Sequence, residues 1–427
     1  MSTYTSIFVD HKEVFSYRDE FRQEFRHLFA RKEVHELVGP KASPYAVTCY
    51  PPEVLALSDP DQVYVVILKA AAEAIRDRLN VIGVGLDSVQ RVFEEMRASE
   101  EGSARSTLHH LTEMGAISAE DEEAHRSTIE YYTDLKFDDW LDEVTEFVGG
   151  KLASHKVDYR NMGPMELISS MDAGTVLRTI VEVIPPGCEV AVDATGLKEN
   201  GWLDDQDDSW PDYANFFGDR LVAPIILTEG TFDTQVISQS LAILKPHLVE
   251  YVRFLDFTIG NEGGAAAAVR MFKSFAAAGV VNRVLLLLDN DSAGREAALA
   301  LRGVPLPKHY SVVHYPDIDV ADAYPTVGPQ GNSEMNVNGL AGSIELYLGK
   351  DVLRTDTGSL VPVQWKGYMG KVNAYQGEVM DKGRLQKAFR EKAAAALSDE
   401  DAVQSQDWSG LNAILEVIVD TLSKPNL

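Results

Sequence analysis

The sequence predicts a multidomain α+β protein. A mostly α N-terminal domain spans residues 1–182, and a strand with an acidic linker spans 183–220. An α/β domain on a parallel sheet spans 221–320, and a helical C-terminal extension spans 321–427. Three observations lead there. At 427 residues the chain exceeds what one ordinary core organises. Before Pro185 most apolar residues recur at helical spacing. From Leu221 onward near-continuous apolar strands alternate with helical stretches, the pattern of a parallel sheet covered on both faces.

Composition sets outer bounds. A hydrophobic fraction of 45% with 25% charged residues belongs to a globular protein. No apolar run approaches the ~20 residues a membrane span needs, and the N-terminus lacks the basic-then-apolar order of a signal peptide, so the expected location is the cytoplasm with no membrane partner. Two cysteines, Cys49 and Cys188, exclude a disulfide framework and a four-cysteine zinc site within one chain. The net charge of -27 opposes nonspecific binding of nucleic acid by the free protein.

In chain order, residues 10–40 read as helix, with Phe21, Phe25 and Leu28 forming one stripe, and prolines from Pro40 to Pro60 then break the chain repeatedly. Helix is expected again from Gln62 to about Met96, turning at Gly83 and Gly85, then over 104–115, 119–155 and 165–182. Pro185-Pro186-Gly187 breaks the chain before a short strand at Glu189–Val192. A polar stretch containing Asp204, Asp205, Asp207 and Asp208 reads as an acidic loop. Strands are expected at 222–228, 251–259, 283–289 and near 310–315, with helices at 232–245, up to Ala278, and 293–301. Beyond about 320, helices are expected at 343–349, 377–397 and 409–424.

Chemistry concentrates in two acidic clusters at strand ends. Ile226-Leu227-Thr228-Glu229-Gly230 continues to Asp233, and Leu287-Leu288-Asp289-Asn290-Asp291 closes the third strand. Ligand-binding groups in open α/β sheets gather beyond the carboxyl ends of the strands. Asp233 follows Glu229 by one helical turn, and Asp289 and Asp291 alternate across Asn290 so that both can face one way. Four carboxylates brought together need a cation to offset their repulsion. Mg²⁺, or Mn²⁺ in its place, suits such oxygen ligands and can polarise a phosphodiester. Either motif alone is also what an acidic helix start looks like; the pairing is what singles them out.

With these residues in view, the stretch 222–320 resembles a TOPRIM domain, the module of topoisomerases, primases, recombination-mediator proteins and OLD-type nucleases. The family pattern places a Glu after the first strand and Asp-x-Asp after the third, holding Mg²⁺, which Glu229, Asp289 and Asp291 match. Asp233 matches the extra acid of OLD-type nucleases, and Ser343–Leu348 is similar to a segment that would bring Glu345 to the metals. The stretch Asp381–Phe389 resembles the region supplying a catalytic lysine, which implies Lys382, with Lys366 and Lys371 as rivals.

The whole chain also resembles bacterial HEPN/Toprim-associated proteins, through Ala74–Glu95, Tyr324–Gly331 and Asn338–Leu348. That resemblance implies a role in defence against phage. HEPN ribonucleases carry Arg-x4–6-His on a helix, and Arg105 with His110, or Arg22 with His27, fits that spacing. No Gly-x4-Gly-Lys-Ser/Thr is present, so an ATPase, if one is needed, comes from a separate partner. The leading expectation is a Mg²⁺-dependent nuclease acting on DNA, with the N-terminal domain serving oligomerisation, partner binding or sensing. The alternatives are an RNase in the N-terminal domain regulated by TOPRIM, and a non-catalytic module that binds metal or nucleotide to control assembly.

Overall fold

A computed structural model of the chain describes residues 4–18, 25, 28–42, 44–45, 63–150, 165–199, 223–255 and 263–424. The protein is mixed α/β and divides into two compact units, Met1–Gly218 and Asp219–Leu427. Among the described residues no helix is long and apolar enough to cross a membrane.

The first unit is built on an antiparallel five-stranded sheet rather than on helices alone. Its strands are β1 (Tyr4–Val9), β2 (Lys12–Arg18), β3 (Val34–Val38), β4 (Tyr64–Ala71) and β5 (Glu189–Asp193), in the order β2-β1-β5-β4-β3. This corrects the helical reading of residues 10–40 and of 62–71. Val65, Val66, Ile67 and Leu68 are buried on both faces, so the run has no alternation to separate a buried strand from a helix. Strand β5, expected in the linker, pairs with both β1 and β4. Phe25 and Leu28 are buried, whereas Phe21, Arg22, His27, Cys49 and Asp204–Asp208 lie outside the described residues.

Among its described residues the unit also carries helices α1 (Ala72–Val81), α2 (Leu86–Glu113), α3 (Ala119–Asp134), α4 (Phe137–Val148), α5 (Met165–Ser169), α6 (Ala173–Val183) and α7 (Thr195–Glu199). Ser118 caps α3 and Asp172 caps α6, each accepting from a backbone N–H three residues on. Arg78 on α1 is fully buried and grips Glu33 with two bonds of 2.7 and 2.9 Å while donating to the Leu28 carbonyl. Removing one partner of such a pair strands the other.

In the second unit, β6 (Ile225–Leu227), β7 (Arg253–Phe254), β8 (Val284–Leu288) and β10 (Tyr310–His314) form a parallel sheet in the order β10-β8-β6-β7. Val284 through Leu288 are all buried, as a strand covered on both faces requires. Helices α8 (Thr231–Leu244), α9 (Ala265–Ala278) and α10 (Ser292–Ala298) cross between strands. Phe272 and Val269 of α9 pack on Leu286 and Leu288. The short strand β9 (Asn290–Asp291) pairs with β13 (Ala341–Gly342).

The extension is not purely helical. Strands β11 (Tyr324–Gly328), β12 (Gly331–Met335), β14 (Val363–Met369) and β15 (Ala374–Val379) form a sheet in the order β12-β11-β14-β15. The helix expected over 377–397 begins only at Lys382. Ala374–Val379 is a strand, and the sequence sign of it is the alternation across Tyr375, Gln376, Gly377 and Glu378. Helices α11 (Lys350–Leu353), α12 (Lys382–Ser398), α13 (Glu400–Ser405) and α14 (Ser409–Ser423) complete the extension. Buried Lys392 on α12 donates to the Leu348 and Asp407 carbonyls and to Asp351, and stands over the Trp408 ring.

Arg78→Ala is expected to destabilise the first unit by about 3 kcal/mol, read as a lower urea midpoint with an unchanged m-value.

Candidate metal centre

Because β6 and β8 are neighbours and parallel, their carboxyl ends deliver two acidic clusters to one edge of the sheet. Glu229 follows β6 by two residues, Asp233 lies in the first turn of α8, Asp289 directly follows β8, and Asp291 is the N-cap of α10. Glu345 arrives on the 3₁₀ turn Ile344–Tyr347, and Lys382 opens α12.

The cluster is tied together by direct bonds. Glu229 Oε1 accepts from the Asp289 N–H at 2.8 Å, joining the two strand ends. Asp291 Oδ1 accepts from the Gly294 N–H at 2.7 Å, and its Oδ2 accepts from Gln376 Nε2 at 2.6 Å. The Tyr315 hydroxyl donates to Asp233 Oδ1 at 2.9 Å. Glu345 accepts from Ser343 Oγ at 2.8 Å and Gln386 Nε2 at 3.1 Å, and Lys382 Nζ stands 3.4 Å from its Oε2. Of the three candidate lysines, Lys382 reaches a carboxylate of this cluster; Lys366 pairs with Glu378 and Lys371 with Glu296.

Gly294 makes the crowding possible. A Cβ there would fall 2.5 Å from the Asp289 carbonyl and 3.3 Å from Glu229 Oε1. Gly264, at φ +100°, starts α9 while its N–H bonds the Glu229 carbonyl, a backbone conformation that side chains rarely tolerate.

Electrostatics mark the cluster as short of positive charge. Burial, followed by the charges of Asp291 and Asp233, pushes the Glu229 carboxyl up to about 7. Burial raises Asp233 to about 6 even though Tyr315 donates to it. Asp289 is driven well above the ordinary carboxylate range by burial and by Asp233, Glu229, Asp291 and Glu345. Burial opposes the charge on Lys382, but Glu345, Glu378 and Asp289 outweigh it and hold the ammonium above the ordinary lysine value.

Whether a hard cation suits this donor set is answered by one atom. Asp289 keeps some exposure as a residue, yet its Oδ1 is sealed from solvent with no hydrogen-bond partner. An unsatisfied buried carboxylate oxygen is costly and calls for a proton or a cation. Among the described residues no group of three or more His, Cys, Asp or Glu side chains is arranged to hold a metal ion. Tyr315, Gln376, Gly294 and Ser343 hold several oxygens instead, so the carboxylates are close enough to repel one another without being clasped. Carboxylate oxygens are the donor type that hard cations such as Mg²⁺ and Mn²⁺ take.

Arg105 and His110 are not brought together. Five residues on one α-helix are turned roughly 140° from each other. Arg105 is paired to Glu101 at 2.7 Å and bonds Thr133, beside a groove of about 490 Å³ that includes His109, while His110 is exposed and outside that lining. Tyr315, Gln376, Gln386 and Gly294 belong to the site without being singled out by sequence. Tyr315 directly follows a strand end, where the strand-end rule finds it; Gln376 requires recognition of the β14–β15 hairpin.

Raised carboxyl values have a definite sign. The folded, cation-free protein keeps protons on Glu229, Asp233 and Asp289 that the unfolded chain releases above its ordinary carboxylate value of about 4. Their contribution is therefore fully present at low pH and lost as pH rises through about 6 to 7. In EDTA, the melting temperature is expected to fall between pH 5 and pH 8, and to fall less in Asp289→Asn. Gly294→Ala is expected to lower the melting temperature at every pH.

A family model, HEPN/Toprim N-terminal domain 1, matches residues 1–215; the carboxylate cluster lies beyond the matched residues. No curated protein and no solved structure matches the chain. With about half of the 427 residues covered, the chain belongs to the HEPN/Toprim N-terminal domain 1 family.

Proposed function

We propose that the protein is a divalent-cation-dependent nuclease whose chemistry resides in the carboxylate cluster of the second unit. The observation that carries this reading is the sealed, unpartnered Asp289 Oδ1 among three carboxyls held above their ordinary values. Family membership supports a nuclease-type function in nucleotide processing. The TOPRIM-like order of Glu229, then Asp289 and Asp291, supports phosphodiester chemistry.

In this reading Glu229, Asp289 and Asp291 hold one Mg²⁺, and Asp233 with Glu345 supports a second. When bound, the cation supplies Lewis-acid polarisation of the phosphodiester and activation of water. The chain's own groups do the rest. Tyr315 fixes Asp233, and Gln376 together with the Gly294 N–H fixes Asp291, so the acids enter the reaction already oriented. Lys382, an ammonium beside Glu345, is placed to stabilise negative charge developing on the phosphate oxygens. DNA is the proposed substrate, and defence against phage the proposed setting. The net charge of -27 favours a partner, a separate ATPase or sensor, or a homo-oligomer, that supplies further basic surface.

Incubation with plasmid DNA and with RNA under Mg²⁺ or Mn²⁺ tests the reading. Wild type is expected to nick or cut DNA, Glu229→Gln and Asp289→Asn to be inactive, and Lys382→Ala to lose about 10² in kcat. His110→Ala is expected to match wild type. RNA cleavage that survives Asp289→Asn but not His110→Ala would move the activity to the first unit.

A further inference from the structure

Beside the carboxylates lies a pocket of opposite character. Arg295, Arg302, His314 and Lys371 line a cavity of about 450 Å³ floored by Ala298 and Leu299, with no acidic residue in its lining. In a chain with 66 acidic and 39 basic residues, such a local excess of cations requires explanation. Lys371 pairs with Glu296 at 2.8 Å. Arg295 and Arg302 make no ion pair among the described residues; the Arg295 guanidinium instead packs closely against Gly339. His314 Nε2 is sealed from solvent without a hydrogen-bond partner, and burial holds the ring below its ordinary pKa. Two guanidiniums without an ion pair, with the Lys371 ammonium at the rim of the same cavity, are the donor set of an anion site.

Its placement relates it to the metal centre. Arg295 follows Asp291 by four residues on α10, one helical turn and about 6 Å between Cβ atoms. His314 and Tyr315 are consecutive at the end of β10; Tyr315 turns to Asp233 and His314 to the cationic pocket. The β14–β15 hairpin gives Gln376 to Asp291 and Lys371 to the pocket. The same hairpin exposes Tyr368 and Tyr375, 55% and 58% accessible, with ring centres 5.2 Å apart. Exposed aromatic faces beside phosphate-binding cations are how single strands are held without sequence preference.

We infer that the Arg295–Arg302–His314–Lys371 pocket binds a backbone phosphate of a nucleic-acid strand next to the one positioned at the carboxylates, with Tyr368 and Tyr375 offered to its unpaired bases. The inference rests on the nuclease reading for its substrate class, but binding can be read where nothing is cut.

The test is fluorescence anisotropy of a short labelled oligodeoxythymidylate with the full chain in EDTA, across a salt series. Arg295→Ala/Arg302→Ala is expected to weaken binding at least about tenfold and to lower the slope of log affinity against log salt by about 0.7, the loss of one single-strand phosphate contact. Tyr368→Ala/Tyr375→Ala is expected to weaken binding while leaving the salt slope unchanged. Arg302→Glu, at an exposed position, gives the same reading should Arg295→Ala disturb the packing on Gly339. Asp289→Asn is expected to bind the oligonucleotide at least as well as wild type, so loss of cleavage and loss of strand binding separate. Wild-type affinity and slope in both arginine variants would overturn the inference. So would full displacement of the oligonucleotide by inorganic phosphate at equal phosphate concentration, which would assign the pocket to a free anion.

Discussion

Mutual repulsion among carboxylates at the ends of two neighbouring parallel strands governs the second unit. Glu229 and Asp289 are joined by a hydrogen bond from the Asp289 backbone and placed where desolvation penalises both charges. A fold that forces like charges together this way opposes its own stability unless protons or cations offset them. Much of the surrounding structure holds these groups in place. The run Val284–Leu288 that delivers Asp289 is wholly buried, and Arg283 just before it donates to the Leu422 and Lys424 carbonyls, binding the sheet to the end of the last helix.

The extension completes the site. Its 3₁₀ turn carries Glu345, its hairpin carries Gln376 and Lys371, and α12 carries Lys382 and Gln386. Lys392, buried among the Leu348 and Asp407 carbonyls and Asp351, fixes α12 against the segment just after Glu345. The four-stranded parallel sheet alone would present bare acids. With the extension the edge carries oriented acids, an ammonium and a separate cationic pocket.

Legibility from sequence tracks burial pattern. Strands β6 and β8 are apolar runs ending in turn or acidic residues, and their assignment needs no periodicity beyond that. Glu229, Asp233, Asp289 and Asp291 are legible because strand ends concentrate function. Strand β4 reads as helix because Val65–Leu68, buried on both faces, is continuous with the helix-forming residues of α1. Strand β5 is visible in the sequence but its place between β1 and β4 is not, since pairing across more than a hundred residues leaves no local trace. Gln376 and the cationic pocket depend on tertiary contacts between the sheet and the extension, which spacing along the chain does not encode.

Calorimetric titration of the purified protein with Mn²⁺ in two buffers of different ionisation enthalpy reads the cation and the protons together. Binding at the carboxylates near pH 6.5 requires protons to leave Glu229, Asp233 or Asp289. The expected result is saturable binding with net proton release that is abolished in Asp289→Asn. Saturable binding with no buffer dependence, or binding unchanged in Asp289→Asn, would contradict a cation site at these strand ends.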